Sequence, residues 1–261
     1  MKDAEAGSVQ DIYKWNPWRA PGKAPVFDSC GMAGGNPVEV FNAGAYNTTI
    51  YAKQGDLGSV VLKPRPSGTV WKRGTVAKAR WEQTANHGGG YRYRLCPAGQ
   101  RLDENCFQKM ELDFADPSKH TVIFGNGTTK EIKAVVVTEG GGIGWMKWPI
   151  PDYGTTNCDY IVKKGEHCPW SCARCGAPWY AADGACPTQC TAQYPGLPSN
   201  AGADPKLFPD QLPGLDMHAF AIEDSLLVPA DIPAGDYVLG WRWDCETTTQ
   251  VWTTCSDITI V

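Results

Sequence analysis

The sequence predicts an all-β fold, an antiparallel β-sandwich of the immunoglobulin or fibronectin III type with long loops and a Cys-rich disulfide insert. The first observation is that 29 glycines and 20 prolines divide the chain into short segments. The second is that these segments are rich in Val, Ile, Thr, Tyr and Trp, which favour strands over helices. The third is that 261 residues with 42% hydrophobic content suffice to bury one full core.

Residues 1–150 are predicted to form an N-terminal loop and the first part of the sandwich. Repeated Pro and Gly among the aromatic residues of 9–35 indicate a long irregular loop that ends near Cys30. The runs that follow have the composition, spacing and turn signals of a Greek-key sandwich. The predicted strands are Thr48–Ala52, Ser59–Lys63, Val76–Trp81, Tyr91–Leu95, His120–Phe124 and Glu131–Val137.

Residues 151–212 are predicted to be a Cys-rich insertion without a core of its own. Its six cysteines are interpreted as three internal disulfides, although a Cys-x-x-x-Cys-x-x-Cys spacing also occurs in zinc sites. They are Cys158, Cys168, Cys172, Cys175, Cys186 and Cys190. Strand periodicity returns at His218–Ile222, so residues 213–261 are predicted to close the same sandwich.

Two long strands are predicted at the end of the chain. Alternation places Tyr237, Leu239, Trp241 and Trp243 on one face of the first strand. The second strand covers Gln250–Ile260, and the short Thr-rich turn between them predicts that the two strands pair as a hairpin.

Eleven cysteines predict an oxidising compartment, either secreted or another oxidising lumen. Candidate glycosylation sequons at Asn47 and Asn126 agree with this prediction. The beginning of the chain has no hydrophobic signal segment, so we expect a processed or truncated form. The odd cysteine number predicts one cysteine with a partner outside this sequence, either in a missing N-terminal segment or in another chain of a protein assembly.

The predicted disulfides of the sandwich are Cys96–Cys106 and Cys245–Cys255. Cys245 is preferred for Cys255 because both residues follow a strand turn at compatible spacing.

The charge of the chain argues against a nucleic-acid partner, and its hydropathy argues against a transmembrane segment. The net charge of −4 and the pI near 5.6 argue against a nucleic-acid partner, which would need a concentrated basic surface. Arg92, Arg94 and Arg101 are interpreted as a solvated strand face. No segment has eighteen consecutive apolar residues, so no transmembrane segment is expected.

The acidic pair Glu223 and Asp224 is interpreted as part of a turn or as solvated surface charge.

Two separated motifs carry a family resemblance. The first is Trp81-Glu-Gln-Thr-Ala-Asn-His87-Gly-Gly-Gly-Tyr91, in which a loop histidine lies between two aromatic strands. The second is Gln250-Val-Trp252-Thr-Thr-Cys255, which opens the final strand. Together they resemble the copper-dependent lytic polysaccharide monooxygenases, over roughly residues 10–150 and 213–261.

The resemblance implies a copper site on one face of the sandwich. His87 matches the mid-chain copper ligand, Gln250 and Trp252 match catalytic positions beside the metal, and Trp252 departs from the usual Tyr or Phe. The family's other imidazole and amine come from a histidine that opens the mature protein. This chain begins with Met1 and has no histidine before His87, so it carries half of that copper site.

The implied function is oxidative cleavage or binding of a β-linked polysaccharide such as chitin or cellulose. The alternative keeps the fold without the chemistry, as a non-catalytic carbohydrate-binding or structural subunit. The candidate substrate-binding aromatics are Tyr91, Trp145, Trp148, Trp179 and Tyr180, of which the loop tryptophans and Tyr180 are equally compatible with packing on the disulfide insert or with a protein interface. The resemblance also offers Cys30 as the partner of Cys255.

Overall fold

The chain folds into two β-sheets in the computed structural model, which describes residues 17–37, 49–82, 87–124, 126–137, 144–149, 220–245 and 250–261. The six-stranded sheet has the order β1-β10-β9-β3-β7-β6, with β1 parallel to β10 and the other neighbours antiparallel. Its strands are β1 (Val70–Trp71), β3 (Gly90–Pro97), β6 (Val136–Val137), β7 (Trp145–Lys147), β9 (Gly235–Asp244) and β10 (Val251–Ile260).

The four-stranded sheet is antiparallel throughout and has the order β2-β8-β4-β5. Its strands are β2 (Val76–Trp81), β4 (Lys119–Phe124), β5 (Thr129–Lys133) and β8 (Phe220–Leu227). Helical structure in the described residues is limited to a 3-10 turn at Pro17–Arg19 and to α1 (Gly58–Val61) and α2 (Glu104–Phe107). The predicted all-β sandwich is therefore confirmed. None of the helices in these ranges is long and apolar enough to cross a membrane.

The final two strands pair as predicted. Strands β9 and β10 are antiparallel neighbours over their whole length, from Val251 opposite Asp244 to Ile260 opposite Gly235. The predicted alternation in β9 is also confirmed, because its odd-numbered residues from Tyr237 to Trp243 pack into the main hydrophobic core. The even-numbered residues of β9 face the opposite side of the six-stranded sheet.

Two predicted strands are wrong because local hydrogen bonds hold the backbone in other conformations. In Thr48–Ala52, the Thr49 hydroxyl accepts from the backbone N–H groups of Tyr51 and Ala52 and closes a turn. In Ser59–Lys63, the chain instead forms α1, and Asp28 accepts from the Ser59 backbone N–H at 3.0 Å. Such side-chain hydrogen bonds compete with sheet formation.

The predicted strand Glu131–Val137 divides between the two sheets. Its first residues belong to β5 and its last two form β6, which pairs with β7 in the other sheet. Ala134 donates its backbone N–H to Ser118 at the point where the chain leaves the first sheet.

One predicted disulfide is confirmed and one is wrong. Cys96 bonds Cys106, as predicted, whereas Cys255 bonds Cys30 rather than Cys245. Cys255 lies opposite Gly240 in the β9–β10 ladder, and Cys245 lies five residues further along, about 17 Å away. That separation is far beyond the reach of a disulfide. The six cysteines of the predicted insertion lie outside the described residues.

The outer face of the six-stranded sheet carries a buried layer of charge, which corrects the interpretation of Arg92 and Arg94 as solvated. Arg92, Arg94 and Arg242 are at most 1% exposed. Glu104 accepts from Arg94 at 2.6 Å, from Arg242 at 2.9 Å and from the Ser29 hydroxyl at 2.6 Å. One carboxylate therefore joins α2, β3, β9 and the N-terminal loop.

The surroundings of Glu104 hold it in the ionised form. Burial alone would raise the pKa of its carboxyl, but Arg94, Arg242 and the Ser29 hydroxyl outweigh burial and lower the pKa to about 2. Because the folded-state pKa lies below the ordinary value of 4.5, this carboxylate stabilises the fold above about pH 4.5 and loses that contribution as the pH falls toward 2.

Replacing Glu104 with Gln removes the carboxylate that pairs with buried Arg94 and one of the two that pair with buried Arg242, so we expect a loss of about 3 kcal/mol in unfolding free energy near neutral pH. The loss should shrink as the pH falls from about 4.5 toward 2, because the unfolded chain then binds a proton that folded Glu104 does not. Urea unfolding of both proteins near pH 7 and near pH 3 measures this. The control is Glu131→Gln, an exposed carboxylate paired with Lys119, which should change stability by less than about 1 kcal/mol. An equal loss at both pH values would contradict the assignment.

Candidate functional site

One end of the six-stranded sheet brings together the residues predicted from the two motifs. His87 lies just before β3, and its ring stacks on Trp243 of β9, with centroids 5.7 Å apart and ring planes 21° apart. Trp243 lies directly opposite Trp252 in the β9–β10 ladder. His87 and Trp252 are therefore both neighbours of the same tryptophan, although they are far apart in the sequence.

The loop that carries His87 is fixed to the end of β9. The Trp243 indole N–H donates to the Gly88 carbonyl at 2.7 Å. Gly89 has a φ of +82°, and a Cβ at this position would lie 2.0 Å from the Asp244 carbonyl oxygen. A Cβ on Gly90 would lie 2.3 Å from the Trp18 ring. Gly89 and Gly90 are therefore required for the close approach of this loop to the sheet.

Gln250 and Trp252 form a local pair at the start of β10. The Trp252 indole N–H donates to the Gln250 side-chain oxygen at 2.9 Å, and both side chains are half-buried. This hydrogen bond fixes the indole orientation on the side of the sheet that faces His87. The arrangement agrees in position with the predicted catalytic residues, and their catalytic role stays a prediction.

A layer of stacked aromatic side chains lies beneath the site. Trp243 stacks on Trp148, with centroids 4.0 Å apart and planes 12° apart. Trp148 in turn packs against Trp81 at 4.3 Å, and Trp81 meets the edge of Tyr91 at 4.9 Å. The orientation of the His87 ring is thus supported by a contiguous aromatic core.

The burial of three candidate substrate-binding aromatics corrects the expectation that they form an exposed platform. Tyr91, Trp145 and Trp148 are 0%, 7% and 5% exposed. Tyr91 and Trp148 belong to the aromatic layer, whereas Trp145 packs with Trp18 and Val137 in a separate cluster. Trp179 and Tyr180, the other two candidates, lie outside the described residues.

A buried carboxylate holds the inner side of this layer, which corrects the interpretation of Asp224 as a solvated charge. Asp224 is 2% exposed and accepts hydrogen bonds from Tyr91 at 2.8 Å, Tyr93 at 3.0 Å and Trp81 at 3.1 Å. His120 Nδ1 lies 2.9 Å from its other oxygen. Burial first, and then the Asp224 charge, raise the pKa of both tyrosines well above their ordinary value.

Glu82 is a residue near this site that the sequence reasoning missed. It follows β2 directly and precedes His87 by five residues. Its Oε2 is buried and has no hydrogen-bond partner in the described part of the chain. Burial raises the pKa of this carboxyl from 4.5 to about 7. Glu82 lies within the quoted motif, but nothing in the sequence indicated its burial.

The candidate glycosylation site at Asn126 lies in the exposed turn between β4 and β5. Its side-chain oxygen accepts from the Thr128 backbone N–H at 2.9 Å and from the Thr128 hydroxyl at 2.6 Å. Asn47 lies outside the described residues.

The described residues do not by themselves fit copper. The site offers one imidazole, an amide and an indole, whereas copper(II) prefers several nitrogen donors such as imidazoles and amines. In the described ranges there is no group of three His, Cys, Asp or Glu side chains placed to hold a metal ion. A complete copper site would need further donors from elsewhere.

No protein-family model matches this sequence, and no curated protein matches it. The family resemblance therefore depends on the two motifs and on the geometry into which the fold places them.

We expect Glu82→Gln to stabilise the protein increasingly as the pH rises. Because the folded-state pKa of Glu82 is raised, wild-type stability falls as the pH rises from about 4.5 to about 7, where the buried carboxyl must ionise. The amide stays neutral and avoids this cost. The melting temperature of the variant relative to wild type should therefore increase between about pH 5 and about pH 8. Asp231→Asn, at an exposed carboxylate, is the control; a pH-independent difference for Glu82→Gln would contradict the prediction.

Proposed function

We propose that this chain is a lytic polysaccharide monooxygenase-type domain that binds a β-linked polysaccharide at the sheet end defined by His87, Gln250 and Trp252. In this proposal, copper-dependent oxidative cleavage is carried out only by a form of the protein whose first residue is histidine. The observation that carries the proposal is the stacking of His87 on Trp243, the cross-strand partner of Trp252. Residues of the two motifs thus adjoin the same tryptophan, which supports the proposal.

Each of the residues at this sheet end has a defined part in this proposal. Trp243 fixes the plane of the His87 imidazole by stacking and fixes its loop through the Gly88 carbonyl. Trp252 lies opposite Trp243 in the β9–β10 ladder, and Gln250 holds the Trp252 indole in place. A rigid imidazole is what a metal ligand requires, since ligand orientation is set by the surrounding contacts.

The disulfides support a secreted or lumenal location for this activity. Cys30–Cys255 and Cys96–Cys106 both join distinct parts of the sandwich, and such bonds persist in oxidising compartments. An exposed sequon at Asn126 is compatible with the same location.

A second candidate function is a non-catalytic carbohydrate-binding or structural subunit. It is favoured by the single imidazole that His87 supplies to the site, since one imidazole does not hold copper(II) tightly. The same sheet end would then bind polysaccharide without redox chemistry. Copper affinity distinguishes the two candidates.

The chain that begins at Met1 should bind copper(II) weakly, because a lone imidazole competes poorly with buffer or chelators. A form whose first residue is histidine should bind at least on the order of a hundredfold more tightly, since it gains an amine and a second imidazole. Calorimetric titration of both forms measures the difference. In the form that begins with histidine, His87→Ala should abolish the gain, and mass spectrometry should detect oxidised oligosaccharides only when His87 is present.

His167→Ala is the matched control, because His167 is a histidine outside both motifs, and it should leave copper affinity unchanged. Tight one-to-one binding by the Met1 form would show a differently built site. Weak binding by both forms would leave the non-catalytic module as the function.

A further inference from the structure

A groove runs along the outer face of the six-stranded sheet, on the opposite side from the aromatic core. Val238 and Cys255 form part of its floor, and its volume is about 1250 Å³. A second depression of about 350 Å³ adjoins it and reaches Trp252. The two share Phe27 and Tyr51 in their linings, so the groove leads toward the candidate functional site.

The groove concentrates the exposed apolar side chains of the described residues. Six of the ten large hydrophobic residues that are exposed line it. Monomeric proteins rarely expose apolar surface in one contiguous place unless it binds something. The six are Phe27 (65% exposed), Ile50 (91%), Tyr51 (66%), Val60 (73%), Val61 (37%) and Leu62 (51%).

The walls of the groove are held in place by buried hydrogen bonds. Asp28, which is 8% exposed, binds both the backbone N–H and the hydroxyl of Ser59 and so fixes the wall that carries Val60 and Leu62. Its carbonyl accepts from the Thr253 hydroxyl of β10 at 2.6 Å. The groove is therefore formed before any ligand binds, which lowers the entropic cost of binding.

The carboxylates that line the groove are already engaged within the protein. Glu104 is bonded to Arg94 and Arg242, and Asp103 caps α2 at the Cys106 N–H and pairs with Arg101. Asp257 accepts from the Arg65 backbone N–H at 2.6 Å. The basic side chains of the lining, Lys63, Arg65 and Arg101, lie among these carboxylates. Because the lining mixes both signs and forms no block of one sign, it is complementary to an uncharged ligand.

The remaining chemistry of the lining matches an amphiphilic polymer. Phe27 and Tyr51 offer aromatic rings for the C–H face of a sugar, while Gln100 and Asn105 offer amide groups for hydroxyls. The volume of about 1250 Å³ exceeds the roughly 300–1,000 Å³ of ordinary small-molecule pockets. A neutral ligand that is larger than a small molecule and exposes both apolar and hydroxyl faces fits these features.

We infer that this groove is a second binding subsite, which holds a single chain of a neutral β-linked polysaccharide beside the sheet end at His87 and Trp252. The inference rests on the proposed function, because it assigns the groove to the same polysaccharide. Phe27 and Tyr51 are the stacking residues of this subsite, and the Cys30–Cys255 disulfide keeps its wall against β10.

The test is depletion binding to suspensions of chitin and of cellulose, with the chain carrying Phe27→Ala and Tyr51→Ala together. Both side chains are exposed, so the fold should be retained. Loss of two aromatic anchors should weaken binding about tenfold or more. Tyr51→Phe keeps the ring and should retain most of the affinity. Leu227→Ala, an exposed apolar residue outside the groove, should bind as wild type.

Each other outcome overturns the inference in a distinguishable way. If the double variant binds as wild type while His87→Ala does not, the groove is not a subsite and the proposed function survives. If wild type binds neither polysaccharide, both proposals fail. If the double substitution instead converts a dimer into a monomer, as measured by light scattering, the groove is a contact between copies of this chain.

Discussion

The structure depends on a buried carboxylate between the two sheets. Asp224 of β8 accepts hydrogen bonds from Tyr91 and Tyr93 of β3, in the other sheet, and from Trp81 of β2. A buried charge with several good donors is strongly destabilised when those donors are lost, so the network specifies how the sheets face each other. A one-residue slip of β8 would bring Glu223 or Ser225 inward instead and leave both phenol groups without this acceptor.

This constraint extends to the candidate site. Tyr91 lies opposite Trp243 in the β3–β9 ladder, so the position of Tyr91 fixes the register of the strand on which His87 stacks. Trp243 then contacts Trp148, and the indole layer leaves the imidazole little freedom of rotation. The orientation of His87 is therefore a property of the core rather than of its glycine loop alone.

The sequence predicted those parts of the fold that periodicity controls. Alternation identified the inward face of β9, and the two motifs contain His87 and Trp252, which both adjoin Trp243 in the fold. Periodicity failed where a local hydrogen bond decides the backbone, as at Thr49 and Ser59. It placed Arg92 and Arg94 on the outer face but could not show that Glu104 and the N-terminal loop cover them, because that contact joins distant segments. The same limit applies to the groove and to Glu82, whose environments are assembled from separate segments without a periodic pattern.

Strand β10 links the two proposed binding regions. Trp252 faces the aromatic core, whereas Thr253 and Cys255 face the N-terminal loop through Asp28 and Cys30. Because successive residues of a strand face opposite sides, one strand holds the candidate site on one side and the groove wall on the other. A polysaccharide chain that contacts Phe27 and Tyr51 would therefore be positioned relative to Trp252 by a disulfide-bonded strand rather than by a flexible connection.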